Sequence, residues 1–218
     1  MKKLLFYSLI FIFATSLSAC LNIKRDIRFN AQGKGNEKMT ILLGSEFMSM
    51  MSEFAKMDDT GKTDPYDDKK IIKDIDSSLK SIPGITVNKI SSVVNKDSSN
   101  LLNVDYDFDN LSSFASAMLG VDEKSDSLVS FYTVGDSVYF SYIVNMNNGT
   151  PEDTTGIDMK NAYKDLFKND KLIIKIDLPY KVAYSNGTSS AGNKITWEIP
   201  MISVMGNDKM IIKAVMVK

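Results

Sequence analysis

The segment Ile23-Lys24-Arg25-Asp26-Ile27-Arg28-Phe29 decides how the N-terminal part of the chain folds. Apolar and charged residues alternate along it through Ile23, Arg25, Ile27 and Phe29, which is the period of a half-buried β-strand. Gly33 and Gly35 suit a turn over residues 32–36, and residues 39–43 are then predicted to return as the second strand of a hairpin.

Four helices are predicted further along the chain. The first follows Ser45, which is a suitable N-cap, and the second begins at Asp64-Pro65, where an N-cap precedes a proline at the first helical position. The third covers residues 111–119, and the fourth covers residues 159–167, where apolar residues recur at helical spacing.

The remaining periodic segments predict strands at residues 85–94, 101–108, 127–134, 137–144, 172–178, 182–185, 195–199 and 210–217. Most connections are short enough for antiparallel neighbours, so we predict an α+β fold: a mainly antiparallel sheet with about four helices packed on it. Residues 20–218 are expected to form a single ectodomain, and residues 147–158 form either a long surface loop or an internal boundary.

Residues 1–19 have the features of a lipoprotein signal peptide. Lys2 and Lys3 precede an apolar run over residues 4–17, which is shorter than the roughly 20 residues needed to span a bilayer. The tetrapeptide Leu17-Ser18-Ala19-Cys20 then looks like a lipobox. We therefore predict that the chain is exported, cut before Cys20 and held on a membrane by several acyl chains attached to that cysteine.

Charge and composition argue against nucleic acid as a partner. The chain has 26 basic and 27 acidic side chains, and its lysines are interspersed with aspartates instead of forming a basic stripe. A hydrophobic content of 44% is enough for one sizeable core or two small ones.

Catalysis is constrained by the residues that are missing. The chain has no histidine, and its one cysteine is Cys20. Ser-His-Asp and Cys-His mechanisms and histidine-ligated metal sites therefore lack the residues they need. The alternative to a non-enzymatic chain is a hydrolase that uses carboxylates, but the acidic pairs are predicted to lie in loops or on helix surfaces.

Asp105, Asp107 and Asp109 copy the spacing at the start of a calcium-binding EF-hand loop. The loop pattern then fails, because Asn110 replaces the required glycine and Ser116 replaces the bidentate glutamate. We predict no metal site and no cofactor, and interpret these aspartates as the solvent face of a strand.

The apolar face of the first predicted helix offers a candidate ligand site. Flexible thioethers can line a pocket for greasy ligands, so Met50, Met51 and Phe54 are the candidate ligand-binding residues. The alternative is that these side chains only fill a core.

Three short motifs resemble a known family. Leu178-Pro179, Ser185-Asn186-Gly187 and Ile195-Thr196-Trp197-Glu198-Ile199-Pro200 are similar to the C-terminal part of LppM-like bacterial lipoproteins. The N-terminal half resembles uncharacterised lipoproteins of Bacteroidetes. The LppM resemblance implies an α+β envelope domain that contacts lipids or glycolipids, and it carries over no binding residue.

These observations predict a lipid-anchored module of the cell envelope. We expect it to bind or scaffold rather than catalyse, with a lipid or glycolipid as its ligand and the outer membrane as the favoured location. The sequence does not identify a protein partner.

Overall fold

The computed structural model describes residues 21–49, 52, 67–119, 129–144, 167–205 and 210–218. The strands are β1 (Leu21–Phe29), β2 (Gly35–Leu43), β3 (Ile85–Val94), β4 (Asn100–Phe108), β5 (Val129–Val134), β6 (Ser137–Val144), β7 (Lys171–Asp177), β8 (Lys181–Ser185), β9 (Ser189–Ala191), β10 (Lys194–Pro200) and β11 (Met210–Val217). The helices are α1 (Asp68–Lys80), α2 (Leu111–Leu119) and α3 (Met201–Met205), and residues 45–49 are also helical.

The strands form two separate sheets. A seven-stranded sheet has the order β3-β4-β2-β1-β7-β10-β9, and a four-stranded sheet has the order β5-β6-β11-β8. β1 is central in the larger sheet, where it pairs antiparallel with β2 and parallel with β7. The chain therefore has to bring its first described strand beside one from its last third.

Side-chain alternation explains how the two sheets share a core. In β4, Leu102, Val104, Tyr106 and Phe108 are buried, whereas the residues between them are more exposed. Similar alternation in β7, β10 and β11 gives each sheet one apolar face, and burying those faces is the main favourable contribution to folding.

Aromatic rings connect the two apolar faces. The ring of Phe29 on β1 lies 5.5 Å from that of Phe140 on β6 and 5.4 Å from that of Phe131 on β5. Phe114 of α2 is completely buried, and its ring packs against Phe29 and Tyr142. The core thus consists of sheet-on-sheet contacts, and buried side chains from the helices, with Phe114 the largest, complete it.

The predicted α+β fold class is wrong. The chain is mainly β, and its core lies between two sheets instead of between one sheet and a layer of about four helices. The local elements gave no indication of a second sheet, because β11 completes that sheet by pairing with both β6 and β8 across long stretches of chain.

Many individual elements are nevertheless confirmed. The β1–β2 hairpin forms, but its turn covers residues 30–34 instead of 32–36, and β2 begins at Gly35 instead of Met39. β3 and α2 have the predicted bounds, and β5 and β6 meet at Gly135. The start of α1 is corrected: its N-cap is Asp67, three residues after the predicted Asp64, and the Asp67 carboxylate accepts hydrogen bonds from the N–H groups of Lys69 and Lys70. Residues 147–158, and the predicted helix 159–167 except for Phe167, lie outside the described residues.

Gly84, in the turn before β3, packs closely against Ser113 of α2. Its φ is +81°, and a Cβ added there would lie 2.5 Å from Ser113 Oγ, which donates a hydrogen bond to the Pro83 carbonyl. Gly84→Ala is expected to lower the free energy of unfolding by more than about 2 kcal/mol, because a displaced hydroxyl adds to the 1–2 kcal/mol of left-handed strain.

Gly135→Ala is the matched control. Gly135 also has a positive φ, of 57°, but an added Cβ would meet nothing within 4 Å. Urea denaturation measures the loss in free energy of unfolding for both variants. The difference between the two losses separates the collision with Ser113 from the backbone strain that both share. Equal losses would show that the Ser113 contact contributes nothing.

Candidate functional site

The residues that the sequence predicted to carry function are not among the described residues. Cys20, Met50, Met51 and Phe54 lie outside the described residues, so their predicted roles stay predictions. The helical residues 45–49 that lead to the methionines are described, and the half-buried ring of Phe47 lies 6.3 Å from that of Phe167.

The aspartates that copy an EF-hand spacing lie at the outer side of β4 and just after it. The amide of Asn36 on the neighbouring strand donates hydrogen bonds to Asp105 at 2.8 Å and to Asp107 at 2.9 Å. These two carboxylates are thus held by an amide donor. Within the described ranges, no three His, Cys, Asp or Glu residues come together as a metal site.

A buried polar cluster lies between the two sheets, and we call its four residues, Arg25, Glu37, Tyr106 and Tyr142, the Arg25 cluster. Arg25 is 5% exposed and Glu37 is 0% exposed. The guanidinium binds Glu37 through two bonds, Nε to Oε1 at 2.5 Å and Nη2 to Oε2 at 2.8 Å. Arg25 Nη1 also donates to the Tyr142 hydroxyl at 2.8 Å, and the Tyr106 hydroxyl donates to Glu37 Oε2.

The surroundings fix the protonation states of three of these groups. Burial lowers the pKa of Arg25, but the charge of Glu37 and its hydrogen bonds outweigh that effect and raise this pKa above its ordinary value. Burial and then the negative charge of Glu37 raise the pKa of Tyr106 well above normal. Burial raises the pKa of Tyr142 as well, although the charge of Arg25 opposes this. Both tyrosines are therefore neutral at physiological pH.

The Arg25 cluster joins the sheets and does not present chemistry to solvent. Arg25 is on β1 of the larger sheet and Tyr142 is on β6 of the smaller one, so their hydrogen bond crosses the core. The Arg25 guanidinium carbon also lies 5.9 Å from the centre of the Phe114 ring, within cation–π range. All four side chains are buried, so a substrate could not reach them without opening the core.

Sequence reasoning missed this cluster, although a signal was present. Arg25 belongs to the same alternate series as Ile27 and Phe29, so a strand that buries those two residues must also bury Arg25. A charge placed at a core position requires a partner of opposite charge.

The outer face of the four-stranded sheet is the accessible candidate site. Cross-strand pairing puts Tyr132 of β5 beside Tyr139 of β6, Tyr139 beside Val215 of β11, and Val215 beside Tyr184 of β8. We call this surface the tyrosine face; its members are Tyr132, Val134, Tyr139, Tyr184, Ile211, Val215 and Val217.

The tyrosine face is unusually apolar for a solvent-facing surface. Tyr132 is 54% exposed and Tyr184 is 62% exposed, and Val134 and Val217, which both pair with Ser137 in the adjacent row, are also exposed. The rings of Tyr132 and Tyr139 stack in parallel, with centroids 4.9 Å apart and an interplanar angle of 4°. This stacking restricts the motion of both rings, so a ligand would meet ordered side chains.

Charge on the tyrosine face has one sign. Among the outward positions of β5, β6, β8 and β11, the charged residues are Lys181 and Lys213, and no carboxylate is present. Large exposed apolar patches mark interaction sites more often than they mark bare surface. Rigid tyrosines contribute contact area at low entropic cost, and their hydroxyls supply hydrogen bonds.

None of the helices in the described ranges is long and apolar enough to cross a membrane.

Comparison with known proteins gives a likeness to solved structures but not to a family model. No protein-family model matches the chain, and no curated protein matches it. Among solved structures, the chain is similar to the NMR structure of the folded domain of Mycobacterium tuberculosis LppM, at 9% identity and a TM-score of 0.43, with 91% of this chain and 90% of that domain covered. LppM is the lipoprotein whose family the C-terminal motifs resemble, but a TM-score this low carries no conclusion about fold or function. The resemblance to Bacteroidetes lipoproteins finds no support among these matches.

Proposed function

We propose that this chain is a lipid-anchored binding module of the cell envelope, and that it binds the saccharide part of a glycolipid on the tyrosine face. The observation that carries the proposal is the row Tyr132–Tyr139–Val215–Tyr184, which spans all four strands of the smaller sheet and is open to solvent.

The anchor part of the proposal rests on the N-terminal sequence and the start of the fold. The lipobox pattern ends at Cys20, and β1 begins at the next residue, Leu21. Cleavage before Cys20 would therefore remove only residues that precede the first strand and would leave both sheets complete.

The ligand class follows from the chemistry of the tyrosine face. The C–H groups on one face of a sugar ring pack against aromatic rings, and sugar hydroxyls hydrogen-bond to tyrosine and serine hydroxyls. Ser130 and Ser141 lie beside one another in the row next to the tyrosines. Lys181 and Lys213 would attract the phosphate that many glycolipid headgroups carry, and no carboxylate on this face would repel it.

We expect the chain from Leu21 onward to retain a glycolipid after incubation with a total lipid extract of its host's envelope and repurification. Mass spectrometry identifies the bound molecule. The double variant Tyr132→Ser/Tyr184→Ser should retain at least about tenfold less, because two central tyrosines that contribute about 1 kcal/mol each together exceed the roughly 1.4 kcal/mol that corresponds to a factor of ten.

The control is Thr133→Ala. Thr133 is exposed and lies on β5 between Tyr132 and Val134, but it is not part of the tyrosine row. It should retain as much glycolipid as the unaltered chain. Equal retention by the double variant would remove the tyrosine face from the proposal, and retention of lipids without sugar would remove the saccharide.

A further inference from the structure

The exposed large apolar side chains of the described residues fall into two groups. Five of the eight belong to the tyrosine face. The other three are the consecutive residues Val93 and Val94 on β3 and, far along the chain, Ile202 on α3. All three lie at the same end of the seven-stranded sheet.

Strand register identifies that end. Val94 pairs with Asn100, Asn100 with Leu43, and Leu43 with Leu21, so these four residues form one row across β3, β4, β2 and β1. On the other side of β1, the row continues at the start of β7, where Lys171 pairs with Pro200 of β10. We call this row, together with α3 directly after Pro200, the anchor end.

Cys20 is attached at the middle of the anchor end. It directly precedes Leu21, and consecutive Cα atoms are about 3.8 Å apart. The Leu21 N–H donates a hydrogen bond to Asp170 Oδ2 at 2.9 Å, which ties the first residue of β1 to the segment before β7. Acyl chains on Cys20 would therefore be attached one residue before a strand whose position this hydrogen bond holds.

The exposed apolar residues lie on both sides of this attachment point. Val93 and Val94, 51% and 58% exposed, are on β3, three strands from β1. Ile202, 40% exposed, follows β10, two strands away on the other side. At roughly 4.8 Å per strand, these flanks lie about 14 Å and about 10 Å from the attachment point.

The opposite end of the same sheet has a different character. The β1–β2 turn there exposes Gln32 and Lys34, and Asp109 is exposed at the end of β4. No exposed large apolar side chain of the described residues lies at that end. The two ends of the sheet therefore differ in the way expected for a protein whose one end lies on a lipid surface.

Charged residues at the anchor end suit a headgroup layer. Lys96, Lys168 and Lys171 are exposed there, together with Asp97, Glu46 and Asp67, while the neighbouring Asp68 accepts hydrogen bonds from Ser92 and Asn100. Lysine side chains can lay their methylene stems along apolar surface while the ammonium reaches water or lipid phosphate.

We propose that the anchor end lies directly on the phospholipid surface, with Val93, Val94 and Ile202 in the interface and the seven-stranded sheet standing on it. The proposal rests on the lipidation of Cys20 put forward above. It adds an orientation and a second, non-covalent contact with the bilayer.

Fluorescence quenching in vesicles tests this orientation. A thioether-linked Cys20 has no free thiol and is the chain's one cysteine, so Val94→Cys, Ile202→Cys and Gln32→Cys would each supply a single labelling site in the lipidated protein. Each variant is labelled with an environment-sensitive fluorophore and reconstituted into phosphatidylcholine vesicles with or without nitroxide-labelled phosphatidylcholine.

We expect labels at Val94 and Ile202 to be quenched several-fold more than the label at Gln32, which lies about 30 Å away along the hairpin. Equal quenching at all three sites in protein that floats with the vesicles would overturn the orientation and leave the lipid anchor intact. Protein that does not float with the vesicles would overturn the anchor itself, and the orientation with it.

Discussion

Replacing Arg25 by methionine should lower the free energy of unfolding by about 3–5 kcal/mol, because Glu37 would remain buried without a cation. The substitution removes both bonds to Glu37 and the bond to Tyr142 that crosses between the sheets. Urea denaturation of the chain from Leu21 onward, followed by tryptophan fluorescence, measures the loss, since Trp197 is the chain's one tryptophan and is buried in β10.

Removing both charges should be less harmful than removing one. Arg25→Met combined with Glu37→Leu leaves neither charge at this site, so the double variant is expected to unfold at a higher urea concentration than either single variant. Some loss remains, because the hydroxyls of Tyr106 and Tyr142 lose partners.

The neighbouring position provides the control for this series. Lys24 pairs with Asp26 at 2.7 Å, but the two side chains are 46% and 41% exposed, so solvent screens this pair. Lys24→Met should therefore cost no more than about 1 kcal/mol. If Arg25→Met cost as little as Lys24→Met, the buried pair would have no special role in holding the two sheets together.

Replacing Cys20 by alanine should move the protein out of the processed membrane fraction almost completely. The thiol would be missing, so diacylglycerol could not be attached, and the chain would remain an unprocessed precursor or become a soluble periplasmic form. Several acyl chains each contribute about 0.8 kcal/mol per buried methylene, far more than three exposed aliphatic side chains can supply. Membrane fractionation with immunoblotting measures the distribution.

A second variant controls for the loss of the thiol alone. Cys20→Ala/Gln32→Cys restores one cysteine at an exposed turn outside the lipobox, and it should behave like Cys20→Ala. Mutant chains that had lost the signal peptide but stayed in the membrane fraction would show that something other than lipid holds the protein there.

Local periodicity was enough to predict most strands but not the way they assemble. β1, β2, β3 and β4 could be found because each alternates in side-chain character and is bounded by turn residues such as Gly33 and Gly84. The fold class could not be found in this way. It depends on which strands pair, and the parallel β1–β7 contact joins segments with no local signal for each other.

The candidate site was hidden for a related reason. In β6, Tyr139 and Tyr142 lie on opposite faces, and apolar residues occupy both faces of the strand. The pattern therefore does not show which face is buried. Only the packing of Phe140 and Tyr142 against the larger sheet leaves Tyr139 outside, beside Tyr132 and Val215.

The parallel pairing of β1 with β7 also affects the order in which the chain can fold as it is synthesised. The hydrogen bond from Leu21 to Asp170 closes a loop of 149 residues, and such distant contacts form late because of the entropy lost in loop closure. The central strand of the larger sheet lacks one neighbour until β7 has been made. A chain with this topology cannot complete its core while only its N-terminal half has been made. Under the export proposed above, a precursor that enters a secretion channel during synthesis would therefore still lack its native core.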